Sequence, residues 1–358
     1  MARVFVIGGA TLDNIIEYEE METLIHQRAG FTQSYLLLEE GKKIEVIGQK
    51  TASGGGATNA AVAFKRQGYD VGLFCKLGHD VAGEVVKREL ESYGLDLSAI
   101  CYDSKIGTAT SFVVPSLKGD RTVFAYRGAN AHLLGEDLPL EKIKGASFLY
   151  ITSLSSASAE RLPEIVKEAK RQNVKVAINP GISQLKRGGS FLKDSLQYVD
   201  TLILNEEEAK TFMVSLLQDE ADTSEKVDRP DKLSETGSFQ AGYFNLREFF
   251  HKVQGLGVRL VVVTNGAEGV YVALGDQIYF HKAPKVTIVN TLGAGDAFGS
   301  GFVGSWYQTE DIEFSIRAGV VNSSSVIAHS DAKSGLLLAT DLEKNIKKLD
   351  KNLLEKLT

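Results

Sequence analysis

Val289-Asn290-Thr291-Leu292-Gly293-Ala294-Gly295-Asp296-Ala297-Phe298-Gly299-Ser300-Gly301-Phe302 is the stretch from which the rest of the chain is best read. It is expected to run from a short β segment through a Gly-Ala-Gly turn into a helix. Small residues let backbone N–H groups approach an anion closely. At a helix N-terminus those groups lack intrahelical partners and the helix dipole is positive, so a phosphoryl group can be held there. A carboxylate beside such a hole makes a poor anion binder and a good acceptor for a hydroxyl proton during phosphoryl transfer, which makes Asp296 a candidate general base. The competing reading is that Asp296 simply caps the helix.

Working outward, apolar runs recur at Arg3 to Gly8, Val71 to Leu77, Phe148 to Thr152, Val174 to Ile178, Thr201 to Leu204 and Leu260 to Thr264. Amphipathic helical stretches such as Ala159 to Gln172 lie between several of them, an alternation that predicts a largely parallel sheet covered by helices. Two regions have a different texture, Lys43 to Lys50 and Gly107 to Arg127, the second with a turn at Lys118-Gly119-Asp120. They read as a small β-sheet able to cover a cleft or to pair between subunits. Glu17 to Gly41 reads as a helical or irregular excursion, Gln218 to Gly242 as a solvated loop, and Asp341 to Thr358 as a final amphipathic helix.

The 358 residues carry a formal net charge of −6 and show no basic stripe interleaved with aromatics, which speaks against a nucleic-acid surface. No apolar run reaches the roughly 20 residues that span a bilayer, so no membrane partner is expected and the cytosol is the expected setting. Cys75 and Cys101 are the only cysteines, and both are expected to be reduced. The six histidines lack metal-ligand spacing. Gly299 to Gly304 satisfies the GxGxxG expression but falls inside the expected helix, where it reads as helix packing. No Walker A sequence or protein-kinase signature is present.

Four further segments are candidates for ligand contact. The cluster Ser53-Gly54-Gly55-Gly56 opens an apolar helix, with Asn59 one turn in, offering both a donor and an acceptor to a polyhydroxylated ligand. Asp13 follows the first strand at the end where parallel sheets bind ligands. Asn205-Glu206-Glu207-Glu208 and Thr264 to Gly269 each follow an apolar strand. For these segments a turn, a solvated loop or an acidic first helical turn is the plainer explanation.

Taken in order, the glycine cluster with Asn59, Gly78 to Gly83, Asn205 to Glu208, Thr264 to Gly269 and the Gly-Ala-Gly-Asp segment resemble the PfkB carbohydrate kinases, the ribokinase-like family, from Arg3 to about Leu338. The resemblance implies an α/β, ribokinase-like, doubly wound fold over about 1–340, with a β-sheet lid from about 14–18, 43–50 and 107–127 and the 341–358 helix packed on the same domain. It implies ATP as donor, Mg²⁺ as metal, and a sugar or nucleoside as acceptor. Asp296 would be the base, and Gly293, Ala294 and Gly295 the anion hole. Asp13, Gly55, Gly56 and Asn59 would hold the acceptor. Asn205, Thr264, Gly266, Gly269 and Asn322 would serve ATP, with Glu208 near Mg²⁺, reached through water. Two departures stand out. Asn290 replaces the Asp that usually opens the second signature, which puts a potassium site in question, and Thr152 to Ser156 lacks a Glu expected for ribose. The Gly107 to Asn130 stretch looks closer to sugar kinases than to adenosine kinases. A nucleoside kinase of the same fold and a non-catalytic sugar- or nucleotide-binding regulator are the alternatives, and the lid edges suggest a homodimer.

Overall fold

The computed structural model describes residues 2–19, 22–28, 31–115, 121–186, 190–221 and 244–357. The chain begins with β1 (Arg3–Ile7), then β2 (Thr11–Glu17), a hairpin of β3 (Thr23–Arg28) and β4 (Phe31–Leu36), and β5 (Gly48–Gly54) leading into α1 (Gly56–Arg66). Next come β6 (Asp70–Phe74), β7 (Lys76–Gly78), α2 (Val81–Ser92), β8 (Cys101–Asp103), β9 (Ala109–Pro115) and β10 (Arg121–Tyr126). The central part holds β11 (Phe148–Ile151), α3 (Leu162–Arg171), β12 (Lys175–Ile178), α4 (Ile182–Lys186), α5 (Ser190–Leu196), β13 (Thr201–Asn205) and α6 (Glu206–Ala221). It closes with α7 (Leu246–Gly255), β14 (Leu260–Asn265), β15 (Gly269–Leu274), β16 (Gln277–Lys282), α8 (Ala294–Thr309), α9 (Ile312–Val326), α10 (Ala339–Ile346) and β17 (Leu354–Leu357).

Among the described residues the main sheet has nine strands in the order β17-β16-β15-β14-β13-β12-β11-β1-β6. The pairings from β6 to β14 are parallel and those from β14 to β17 antiparallel. Side chains alternate across a strand, and here both faces are covered, which is why the strands read as unbroken apolar runs. On β1, Val4 and Val6 enter one core with α1 and α8, while Phe5 and Ile7 enter the other with α3, α6 and α7. Helix α8 is apolar and small-residued because it is buried against α9: a Cβ on Gly301 would lie 2.9 Å from the Ala318 carbonyl oxygen. The GxGxxG match is therefore helix packing, as its position predicts.

A second sheet, in the order β10-β9-β2-β5, forms the lid. Its strands begin earlier or later than the polar–apolar texture suggests: β5 starts at Gly48, and β2 reaches back to Thr11. The turn expected at Lys118-Gly119-Asp120 lies outside the described residues, as does most of the expected loop at Gln218 to Gly242; α6 runs on to Ala221.

Three expectations are corrected. The described residues of Glu17 to Gly41 hold no helix but contain the β3–β4 hairpin, with His26 opposite Gln33. The C-terminus is not one helix. After α10 the chain turns and adds β17 to the edge of the main sheet, with Leu357 opposite Ile278, because β16 otherwise leaves a row of unpaired backbone groups. Finally, Val289 is not in a strand: the N–H groups of Val289 and Asn290 both donate to the Ile327 carbonyl, at 2.8 and 3.2 Å, instead of joining a ladder.

Candidate active site

At the carboxyl ends of β13 and β14 a cavity of about 320 Å³ is bounded by Asn205, Glu208, Thr264, Arg121 and the loop Thr291 to Asp296. Gly293 caps α8 at φ 79°, in the left-handed region, and a Cβ there would stand 2.4 Å from that of Ala332. Only glycine fits both demands. The N–H of Ala294 donates to the Thr291 carbonyl at 3.3 Å, a long bond, so one of the three amides expected to form the anion hole is already partly engaged.

Asn290 holds this loop from below. Its amide oxygen accepts the N–H of Leu292 at 2.9 Å, and its NH₂ donates to the Ser330 carbonyl at 2.9 Å. A carboxylate could do the first but not the second. The amide thus fits this position as a loop brace, and the residues present do not fit a potassium site that needs a carboxylate at 290.

The side where the sequence places an acceptor is built from the small sheet and the start of α1. Asp13, on β2, is 8% exposed, and its Oδ1 accepts from Ser111 Oγ of β9 at 2.6 Å. Burial raises its pKa, offset in part by the Ser111 hydrogen bond and the Lys333 charge. A Cβ on Gly54 would fall 1.8 Å from Asp13 Oδ2, so this glycine leaves the carboxylate its space. Asn130 fixes the preceding turn with two bonds to Ala10, accepting its N–H at 3.0 Å and donating to its carbonyl at 2.9 Å.

The two sides meet at Asp296, whose Oδ2 accepts from Asn59 Nδ2 at 2.8 Å. Gly56 lies against the same carboxylate: a Cβ there would be 3.2 Å from Oδ1. Burial raises the pKa of Asp296, while the Asn59 hydrogen bond and the charges of Lys333 and Arg121 pull it down. Asp296 is in the first turn of α8, yet it is Asn59 that its side chain engages, which distinguishes it from a simple cap.

Asn205 and Glu208 form a reciprocal cap at the start of α6. The Asn205 N–H donates to Glu208 Oε2 at 2.8 Å, and the Glu208 N–H donates to Asn205 Oδ1 at 2.8 Å. Glu208 of the acidic first turn is therefore a structural cap, and it also lines the cavity. Burial, followed by the nearby Asp296 and Glu207 charges, lifts the Glu208 pKa to about 7 against the pull of the Asn205 N–H. An oxygen-rich wall of this kind suits a hard cation such as Mg²⁺ held through water, where it would screen phosphate charge.

The remaining nucleotide candidates divide. Thr264 lines the cavity. Gly266 lies in the β14–β15 connection and Gly269 opens β15, neither lining the cavity, and Gly269 is required by strand packing, since a Cβ would lie 2.1 Å from the His281 carbonyl oxygen. Asn322 is fully buried and does not face the cavity. Its amide donates to the Ala297 carbonyl at 2.8 Å and accepts the Leu337 N–H at 3.0 Å, tying α8 and α9 to the segment before α10.

Reasoning from the sequence missed Arg121, Lys333, Ser111 and Asn130. Arg121 sits in the stretch read only as lid, yet its guanidinium reaches the Thr291 hydroxyl across the cavity. Lys333 lies in the polar run Asp331 to Ser334, which carries no periodicity to mark it as buried.

The profile of the pfkB family carbohydrate kinases matches residues 23–239 and 244–338. The chain belongs to that family. The kinase is 27% identical over 277 residues to an ATP-dependent ribose-1-phosphate kinase of Halopiger xanaduensis, covering 77% of this chain and 81% of the relative. It is 30% identical over 254 residues to fructokinase-1 of Zea mays, covering 69% and 71%. Among solved structures, the fold is similar to that of Arabidopsis thaliana ribokinase complexed with ribose and ATP, with TM-score 0.73 and 20% identity over 97% of this chain and 99% of that one. It is also similar to that of the Methanocaldococcus jannaschii nucleoside kinase, with TM-score 0.71 and 18% identity over 98% and 99%. The family's phosphotransfer to hydroxyl groups and its ribokinase-like fold are thus those expected from the motifs.

Proposed function

We propose that this kinase transfers the γ-phosphoryl group of ATP to a hydroxyl of an uncharged sugar, with Asp296 as general base. The observation that carries the reading is the Asn59–Asp296 hydrogen bond, which joins the acceptor pocket to the loop that would hold the phosphoryl group. The Asp296 carboxylate takes the proton of the acceptor hydroxyl as its oxygen bonds to the γ-phosphorus. The bond from that phosphorus to the β,γ-bridging oxygen breaks, ADP leaves, and the proton stays on Asp296. The N–H groups of Gly293 to Gly295 face the charge that develops on the transferred group, and Arg121 adds a cation from the lid. Closure of β9 and β10 over the cleft would keep water, a competing acceptor, away.

Four buried or half-buried carboxylates, Asp13, Asp296, Glu89 and Asp331, surround the Lys333 ammonium near the acceptor pocket, with Lys50, paired to Asp331, and Arg121 on the cavity wall as further cations. That balance favours a neutral polyol over an acceptor that already bears a phosphate. Asp13 and Asn59 supply the directional contacts that a sugar needs. The exposed outer side chains of the lid, Phe112, Phe124 and Tyr126, support a homodimer through that face, and the cytosol is the proposed setting.

The test is ADP release with ATP and Mg²⁺ against a panel of sugars, sugar phosphates and nucleosides, run beside Asp296→Asn. Release stimulated by a neutral sugar and lost by about 10²–10⁴-fold in the variant is expected. Stimulation only by nucleosides or phosphorylated sugars would overturn the acceptor assignment. Stimulation by none of them would favour a binding protein.

A further inference from the structure

Lys333 lies between α9 and α10, is only 3% exposed, and points beneath the glycine cluster. Its Nζ donates to the Ser53 carbonyl oxygen and, at 2.9 Å, to Asn59 Oδ1. An ammonium can only donate, so it settles which end of the Asn59 amide faces it. The NH₂ end must then face Asp296, and it donates there at 2.8 Å. Were the amide turned over, its oxygen would oppose a carboxylate.

We propose that Lys333 is a positioning residue: by fixing the orientation of Asn59 it aims and stabilises the Asp296 carboxylate. The inference rests on reading Asp296 as the base. Lys333 does not line the cavity and donates to Ser53 and Asn59 rather than to Asp296, so its effect passes through Asn59 and through its charge.

The surroundings support a role beyond packing. Burying an ammonium is costly unless something requires its charge. The carboxylates around Lys333 are Glu89 of α2, Asp13 of β2, Asp296 of α8 and Asp331 of its own segment. Each also has another partner: Asp331 pairs with Lys50 of β5 at 2.5 Å, Glu89 accepts the Ser53 N–H at 2.6 Å, Asp13 accepts from Ser111, and Asp296 from Asn59. Asp296 also senses Arg121 of β10, and Glu208 of α6 senses Asp296. Burial lowers the Lys333 pKa to about 8, leaving the ammonium largely charged at neutral pH.

The experiment is a carboxyl ¹³C NMR titration of the full chain labelled at aspartate, with the Asp296 signal assigned by its loss in Asp296→Asn. Removing the Lys333 charge and donor in Lys333→Met should raise the Asp296 midpoint by about one unit, a roughly tenfold loss of ionised base at a given acidic pH. Lys333→Gln, which keeps a donor without the charge, should shift it in the same direction and serves where the Met variant fails to fold. The same displacement should appear in the acidic limb of kcat/KM with ATP and the sugar found above. An Asp296 midpoint unchanged within about 0.2 unit in a folded variant would overturn the inference. Failure of the underlying reading has a different mark: Asp296→Asn would retain acceptor-dependent ADP release whether or not the midpoint moves.

Discussion

Gly293→Ala offers a stringent test of how the anion-hole loop is held. The added Cβ meets two separate penalties. At φ 79° an alanine sits in the left-handed region, at a cost of about 1–2 kcal/mol. The same atom would approach Ala332 Cβ to 2.4 Å, an overlap that resembles core overpacking and costs about 1–3 kcal/mol. Together they predict a loss of about 2–5 kcal/mol in urea unfolding. Ala332→Gly alone removes a nearly buried methyl and should cost about 1 kcal/mol. If the two Cβ atoms collide, the double variant recovers the overlap but not the dihedral penalty, so the cycle should show a favourable coupling of about 1–3 kcal/mol. ADP release in Gly293→Ala should fall by about 10²-fold, since displaced amides no longer face the transferred group. Additivity within about 0.5 kcal/mol would refute the collision, and full activity in the single variant would refute the role of this turn in catalysis.

Three further outcomes follow from the same structure. Burial lifts the Glu208 pKa from 4.5 to about 7, so the folded protein binds this proton more tightly than the unfolded chain does; stability should therefore fall as pH rises from about 4.5 to 7. Glu208→Gln should flatten that slope in thermal unfolding, and an unchanged slope would contradict the burial argument. For Asp296, whose pKa is also raised, Asp296→Asn should be at least as stable as the parent at pH 7, because the buried charge is removed while an oxygen remains for the Asn59 N–H. A clear loss of Tm in that variant would count against this account. Light scattering should give a dimer mass that drops to a monomer in Phe112→Lys/Phe124→Lys; a monomeric parent would remove the lid interface.

The parallel sheet and the Gly-Ala-Gly turn that leads Asp296 into α8 were legible in the residues because each depends on local signals. Apolar runs such as Arg3 to Ile7 are buried on both faces, and a Gly-Ala-Gly turn before a helix has few other uses. The Asn205–Glu208 pair was visible as a motif, but its reciprocal capping bonds, and the burial that leaves Glu208 with a raised pKa, needed coordinates. The β3–β4 hairpin and the final strand β17 were misread as helical or irregular. Their pairing partners lie elsewhere in the chain or compete with a helical pattern that short polar segments also satisfy.

What the sequence determined by itself was therefore the fold class, the cleft end of the sheet and the carboxylate at the start of α8 that lines the cavity, since all three follow from residues close together along the chain. The tertiary structure alone decided which distant groups gather around that carboxylate. Lys333 is 274 residues from Asn59, and Arg121 is 170 from Thr291. Their contacts arise only when the lid, α1 and the segment before α10 converge on one end of the sheet, because hydrogen bonds and buried charges depend on distance in space and leave no periodic trace along the chain.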